Sequence, residues 1–307
     1  VYLIDRSCFW QMTLTVVLGA LELGLIFAVL ALGIFISFRI LDTPDLTVDG
    51  SFVLGVAVPS ILTVNGHPFV GLLLSVVAGF VAGALTGILH TKVHIQPILA
   101  GILVMTALYS INMRIMGKKP NLSFYDTDTV FTKLRGVMDK HAANLVVTAA
   151  VLIIVFVLLF LFLKTQVGMS LRATGDNEAM VRASSIDSDK IKILGMGVAN
   201  ALVALSGAEY AQYSGFGDAN GGVGMLVVGL ASIIVGEVIF GRRSVLAGML
   251  SSVVGAVIYR FVLTIALRLG MESIDMKLFS AVIVTVAVAV PAVKNYIGRR
   301  RALKCSE

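Results

Sequence analysis

Charge is scarce in this chain: Asp, Glu, Lys and Arg make up 14% of its 307 residues, where soluble domains carry about a quarter. That excludes an ordinary water-soluble domain. Cysteine is scarcer still. Cys8 and Cys305 stand at opposite ends, a spacing that fits neither a metal site nor a redox pair. The four histidines, His67, His90, His94 and His141, lack H-E-x-x-H spacing and any cysteine partner, so no metal site is expected. No G-x-x-x-x-G-K-S/T phosphate loop is present, so the chain is not expected to hydrolyse ATP itself or to be an enzyme. The glycine-rich stretch 215–224 lacks the lysine and hydroxyl in the required order, and reads as a flexible hinge at the outer ends of two helices. The opening VYLIDRSCFWQM shows no signal-peptide n-region and no small-residue cleavage site. Residues 1–12 read as an N-terminal extension, with Met12 an alternative start.

What the chain does have is apolar length. Hydrophobic residues make up 58% and the mean hydropathy is +0.96. Apolar segments run at about 13–38, 51–64, 68–89, 95–116, 144–163, 191–212, 225–240, 245–267 and 278–293. Most are long enough, at about 1.5 Å per residue, to cross roughly 30 Å of hydrocarbon. The expectation is an all-α polytopic membrane protein with about nine spans, eight to ten being compatible. Segments 51–64 and 225–240 are short, so they either extend into their flanks or are broken or re-entrant elements lining a polar cavity.

The net charge of +6 could suggest nucleic acid, but the basic residues cluster at the ends of apolar segments, as membrane topology requires. No nucleic-acid partner is expected. The tail KNYIGRRRALK at 294–304, within a basic tail 294–307, belongs in the cytoplasm by the positive-inside bias. Alternating backwards places Arg242–Arg243, 164–192, Lys92 and Arg39 inside as well, and the N-terminus outside. Together these positions hold 14 of the 24 Lys and Arg residues. The loop 117–143 falls outside despite Lys118, Lys119, Lys133, Arg135 and Lys140, and also carries Asp126, Asp128 and Asp139. The permease unit is then 13–293.

Glycine is frequent, 30 residues, and Gly79, Gly83 and Gly87 recur every four residues on one helix face. Such a stripe lets transmembrane helices approach closely, and packing within the chain is favoured over a subunit interface. Ionisable groups inside apolar segments each cost several kcal/mol unless they face a cavity or partner. Glu22, Glu209 and Glu237 are such groups, and Asn112, Asn200 and Gln212 add uncharged polar ones. Glu237, near Arg242–Arg243, reads as interfacial. Glu22 and Asn200, deep in their segments, divide evenly between interhelical bonding and a translocation pathway. In PDLTVDGSF, residues 44–52, Asp49 or Ser51 can cap the short helix that follows. A capped half-helix beginning at membrane depth could receive an anionic group; a surface connection with capping residues is the plainer alternative. Asp49, Ser51, Glu22, Asn112, Asn200, Glu209 and Gln212 are therefore the candidate pathway residues.

The longest polar interruption that also carries helix signals is 164–201. Gly175 can end one helix and Asp176 can cap another, with Asn177 and Glu178 in its first turn. Met180, Ala183 and Ile186 share one side of that helix, with Arg182 elsewhere. Asp187–Ser188 then opens the next membrane helix. As physics alone this is a cytoplasmic loop with a short amphipathic helix, which could equally lie on the bilayer surface.

These residues also carry a resemblance. The run LRATGDNEAMVRASSIDSDKIKILGMGVANALVALSGA at 171–208 resembles the coupling region of permeases in bacterial ATP-binding-cassette importers of the branched-chain amino acid and ribose type. FRILDTPDLTVDGSF (38–52), HIQPILAGILVMTALYSINMRIMG (94–117) and GLASIIVGEVIFG (229–241) are similar to the branch described as tryptophan/tyrosine transport permeases. The likeness runs from about residue 18 to 300. It implies a multi-pass permease in the bacterial inner membrane with its C-terminus cytoplasmic, a second permease copy, two cytoplasmic ATPase subunits carrying ATP and Mg, and an extracytoplasmic substrate-binding protein. It implies that the elbow 165–190 docks on the ATPase through Arg172, Asp176, Glu178, Met180 and Arg182, and that the solute is an amino acid, with an aromatic one indicated by the branch. The chain departs from the branch at ASSID, 183–187, where Ala-Leu-Gly-Ile is the expected pattern and the apolar docking contact is correspondingly reduced. The alternative is a secondary transporter driven by an ion gradient through Glu22 or Glu209.

Overall fold

The computed structural model describes residues 6–286 apart from 126, 136–138, 242–243, 273–274 and 277, together with residue 289; side chains are described from Thr15 onward, except at Leu134 and Arg135. The Arg242–Arg243 pair, the basic tail and part of the last apolar segment lie outside the described residues. The elements are α1 Arg6–Ile34, continuing as a π-helical stretch Phe35–Ile40, then α2 Thr47–Val64, α3 Pro68–Thr91 and α4 Pro97–Ile115. There follow β1 Asn121–Ser123, α5 Val130–Arg135, α6 Lys140–Lys164, α7 Gln166–Asp176, α8 Glu178–Ala183, α9 Ser188–Ser214, β2 Phe216–Asp218, α10 Met225–Phe240 and α11 Val245–Arg268. Residues 278–286 are helical as well.

Seven of these helices are long and apolar enough to cross a membrane, and α10 is a shorter apolar one. The architecture is that of an all-α polytopic membrane protein. Eight of the nine expected apolar segments coincide with a helix, and the ninth is helical over the part described. Of the two short segments, α2 extends four residues into its flank, whereas α10 stays at 16 residues, about 24 Å. α1 runs without a break through residues 6–12, so the backbone marks no boundary at residue 13.

α9 is the centre. It packs against α1, α2 and α3, while α10 and α11 form a hairpin against α1, and α4 and α6 flank the outside. The reason is side-chain size: α9 presents Ala199, Ala204, Ser206, Gly207, Ala208 and Ala211, all buried. The stripe Gly79, Gly83, Gly87 packs on α9 against Ala204, Met196 and Ile193, so it serves packing within the chain. A Cβ at Gly83 would collide with the Met196 carbonyl oxygen. α1 is buried on every face from Ile26 to Ser37, as a helix apolar all round must be. α3, α4 and α6 turn large apolar side chains outward, among them Leu73, Val81, Ile153 and Leu158, the composition of a face meant for lipid.

One end of the bundle holds α7 and α8 (the elbow end) and the other the paired strands (the loop end). β1 and β2 are antiparallel, with Asn121 opposite Asp218 and Ser123 opposite Phe216. The stretch 215–224 is thus not a free hinge. After β2 it runs along α2, with Gly217 against Ser60 and Gly222 against Val53 and the Asp49 backbone, before α10 starts at Gly224.

Candidate functional sites within and below the membrane bundle

Depth can be read along α9, which runs from the elbow end at Ser188 to the loop end at Ser214. The Asn200 amide donates to Asp45 Oδ2 at 2.6 Å and to the Met196 carbonyl at 3.0 Å. Asn200 lies twelve residues into α9, about 18 Å along a helix of about 40 Å. So α2, which starts just after Asp45, begins near mid-depth and runs towards the loop end. α10 also begins near this level and runs the other way, its Glu237 reaching Arg39 at the elbow end. Two helix N-termini therefore meet inside the bundle.

Each is satisfied by a carboxylate. Asp45 Oδ1 accepts from the Thr47 amide at 2.8 Å. Asp49 accepts from the amides of Gly224 and Leu226, both at 2.9 Å. This corrects the expected capping: α2 starts after Leu46, which supplies no side-chain cap. Asp49 sits in the first turn of α2 and caps α10 instead, because Gly222 lets the descending strand approach the Asp49 backbone. Ser51 is fully buried and its hydroxyl has no hydrogen-bond partner among the described residues. Asn112 donates to the Gly50 carbonyl at 3.2 Å, while its Oδ1 is without a partner among the described residues. Asp49, Asn112, Met105, Tyr109 and Val223 line a cavity of about 210 Å³ beside the two helix starts.

A second group lies at the loop end. Glu22 is fully buried; one oxygen is 2.8 Å from His141 Nδ1 and the other accepts from the Asn144 amide at 3.0 Å. Gln212 accepts from the Val130 amide at 3.2 Å and donates to the Pro68 carbonyl at 2.8 Å, tying α9 to α3 and α5. Glu22, His141, Asn144, Gln212, Tyr125 and Tyr213 line a cavity of about 290 Å³. Glu209, one turn from Gln212 along α9, is buried with neither oxygen hydrogen-bonded among the described residues. The seven candidate pathway residues thus fall into separate neighbourhoods: Glu22 with Gln212, Asp49 with Asn112, Asn200 with Asp45, and Glu209 and Ser51 unaccompanied.

Local sequence did not disclose several of these partnerships. His141 was considered only for metal, yet it precedes Asn144 by three positions and so shares its helix face. Asp45, at the head of the same 44–52 stretch, carries no local signal of its bond to Asn200. Arg39 and Glu237 form an ion pair joining the end of α1 to the end of α10; nothing in the local sequence links positions 198 apart.

The third group is the elbow. Thr165 caps α7 by accepting from the Gly168 amide. Gly175 does not end α7; it lies inside it, where a Cβ would collide with the Ile40 carbonyl oxygen. Asn177, not Asp176, caps α8, accepting from the Met180 amide at 3.1 Å. Asp187 caps α9 through the Lys190 amide at 3.2 Å, as its position suggests. Glu178 knits the turn together: it accepts from Lys192 at 2.6 Å, Arg182 at 2.8 Å and Ser188 at 3.2 Å. The Lys192 ammonium is the first reason its carboxyl is held at about 2, below the ordinary 4.5. Arg182 also pairs with Asp189, which in turn holds Lys92. Met180, Ala183 and Ile186 are exposed while Val181 is buried. Arg172 and Asp176 are exposed and line a cavity of about 440 Å³ with Phe35, Arg39 and Glu237.

Residues 16–290 match the family model described as "Branched-chain amino acid transport system / permease component". A tyrosine transport system permease protein of Clostridioides difficile is 39% identical over 274 residues, 89% of this chain and 90% of that protein. An uncharacterized protein of Rickettsia prowazekii is 32% identical over 280 residues, 90% of this chain and 98% of that one. A ribose import permease protein of Haemophilus influenzae is 25% identical over 291 residues, covering 94% and 84%. No solved structure matches this chain.

Proposed function

This chain belongs to the branched-chain amino acid transport system permease family, and from that premise we propose that it is the membrane subunit of an ATP-driven importer for a small amino acid, aromatic in its side chain. A second copy of the chain, two cytoplasmic ATPase subunits carrying ATP and Mg, and an extracytoplasmic binding protein complete the machine. The elbow and the C-terminus face the cytoplasm; the loop-end cavity faces the binding protein. The aromatic substrate follows the tyrosine permease relative.

The observation that carries the reading is the elbow between α6 and α9. Its exposed Met180 and Ile186 form an apolar contact for the motor, while Glu178 is engaged by three internal partners. Force on α8 passes to α7, and through the close contact of Gly175 with Ile40 to the π-helical end of α1. π-helical turns often mark functional sites. The Arg39–Glu237 pair relays the displacement to α10, whose N-terminus is held by Asp49 of α2. Elbow motion thereby reaches the mid-depth cavity through packed, charged joints.

Met180→Glu tests this more cleanly than reversal at Glu178, which would also dismantle the elbow. In proteoliposomes carrying all subunits, the variant should keep its place in the membrane and lose ATP-driven uptake. Uptake at the wild-type rate would refute the docking assignment. The ion-driven alternative draws on one observation, the buried carboxylate of Glu209, which has no hydrogen-bond partner among the described residues. Flux that is insensitive to vanadate and abolished by ionophores would favour it.

A further inference from the structure

The cavity beside the starts of α2 and α10 has a lining of one chemical sense. Its volume is about 210 Å³, and its polar side chains are Asp49, Thr106 and Asn112. Asn112 is 1% exposed. Its Nδ2 is tethered to the Gly50 carbonyl at 3.2 Å, and its Oδ1 has no hydrogen-bond partner among the described residues. A buried acceptor in that condition costs about 1–3 kcal/mol, so the place calls for a donor. Thr106 commits its proton to its own helix, donating to the carbonyls of Ile102 at 3.0 Å and Leu103 at 2.9 Å. What its hydroxyl still offers is lone pairs. Asp49, which holds the Gly224 and Leu226 amides, adds a negative charge, and its oxygens can accept further bonds.

The donors nearby are already taken. The helix-start amides of Thr47, Gly224 and Leu226, which would otherwise draw an anion, donate to Asp45 and Asp49. The cavity thus presents acceptors and a carboxylate, while Met105, Tyr109 and Val223 supply apolar wall. Its open side is also identifiable, because Val223, Thr106 and Tyr109 are exposed there. Val223 belongs to the non-helical stretch between β2 and α10, and Gly222 brings that stretch against the Asp49 backbone inside the bundle. Irregular backbone at membrane depth is tolerated only where protein covers it or where it lines a water-filled cavity. This side of α2 and α4 therefore faces an aqueous path or a neighbouring subunit. The large apolar side chains of α3 and α6 face hydrocarbon instead.

We propose that this cavity binds the primary ammonium group of the transported solute, with Asn112 Oδ1 and Thr106 Oγ1 accepting its hydrogens and Asp49 supplying the counter-charge. The inference rests on the permease reading above and adds the chemical group by which the solute is read. Three probes that share one ring separate the groups: L-tyrosine, tyramine, which lacks the carboxylate, and hydroxyphenylpropionate, which lacks the ammonium. In saturation-transfer NMR on the full chain in detergent, tyrosine and tyramine should give signals and the propionate none. Asn112→Leu and Thr106→Val should each weaken tyramine binding about tenfold or more, the loss of one bond to a charged group. In proteoliposomes containing the permease, its ATPase and the binding protein, both should lower tyrosine uptake by a similar factor. If Asn112→Leu fails to fold, Thr106→Val, a change of similar shape at an exposed position, and the wild-type probe comparison decide. Equal signals from tyramine and the propionate, or wild-type tyramine binding by the folded variants, would overturn the proposal. If the wild type moves ribose with ATP but neither binds nor moves tyrosine, the ammonium site falls and the permease reading stands. If tyramine binds as expected but no solute moves with ATP, the permease reading falls and the ammonium site stands.

Discussion

The elbow and the mid-depth junction both rest on carboxylates, yet they hold them in opposite ways. At the elbow, Glu178 has three partners at the water-exposed end, and Arg182 and Lys192 are cations that can shift to other anions such as Asp189. At the junction, Asp49 accepts from two backbone amides, Gly224 and Leu226, and these are the first turn of a helix that starts inside the bundle. Water can replace a lost partner in the first case. In the second the bonded groups are part-buried and start a helix inside the bundle, so replacement is poorer and the same residue type carries a larger share of the fold.

That contrast can be broken by measurement. Asp49→Ala strips two amides of their acceptor and should destabilise the detergent-purified protein by about 3 kcal/mol, at 1.5–3 kcal/mol per bond to a charged group. Asp49→Asn, which keeps one acceptor oxygen, should cost less, and equal losses would argue against the capping role. Glu22→Ala removes the shared partner of His141 and Asn144 and is expected to cost about 2 kcal/mol, with little dependence on salt. Thermal unfolding at low and high ionic strength checks both.

The elbow variants should move stability less. Ser185 adopts a left-handed conformation with φ of 60° just past the end of α8, the place where a helix C-terminus favours glycine. Ser185→Gly should therefore stabilise the elbow by about 1 kcal/mol; a loss of stability would mean the serine side chain contributes more than its backbone costs. The smallest effect is at Glu178. Its carboxyl is depressed from 4.5 to about 2, so its contribution is complete above pH 4.5 and is lost as the pH falls towards 2. With the side chain 35% exposed, the loss should be under about 1 kcal/mol and shrink in salt. Glu178→Gln should flatten that acid limb, seen as elbow protection in hydrogen exchange. A limb unchanged in the variant would transfer the effect to another carboxylate.

The departure at 183–187 has a clear backbone consequence. Where the resemblance leads one to expect glycine, Ser185 takes a left-handed backbone with φ of 60°, and the exposed apolar residues of the elbow are Met180, Ala183 and Ile186.

Much of the bundle was legible because hydropathy and capping are local. The segments at 13–38 through 245–267 each coincide with a helix, and Asp187 caps α9. Asp176 was one residue out: Asn177 takes the cap because its extended backbone, with φ of −158° and ψ of 98°, aims its side chain at the Met180 amide. Gly175 read as a breaker because glycine is a poor helix former, whereas its purpose is a close approach to Ile40, a residue 135 positions earlier.

Composition and period alone settle that this is a helical membrane protein with a polar elbow, since each helix is specified by its own residues against lipid and water. Packing decides the rest. That α2 and α10 start head to head at mid-depth, that Asp49 caps a helix 175 residues away, and that Arg39 finds Glu237 follow only once the small face of α9 draws α1, α2 and α3 together. Hydrogen bonds and ion pairs act over a few ångströms in space, and no spacing along the chain encodes which distant partner will fill that distance.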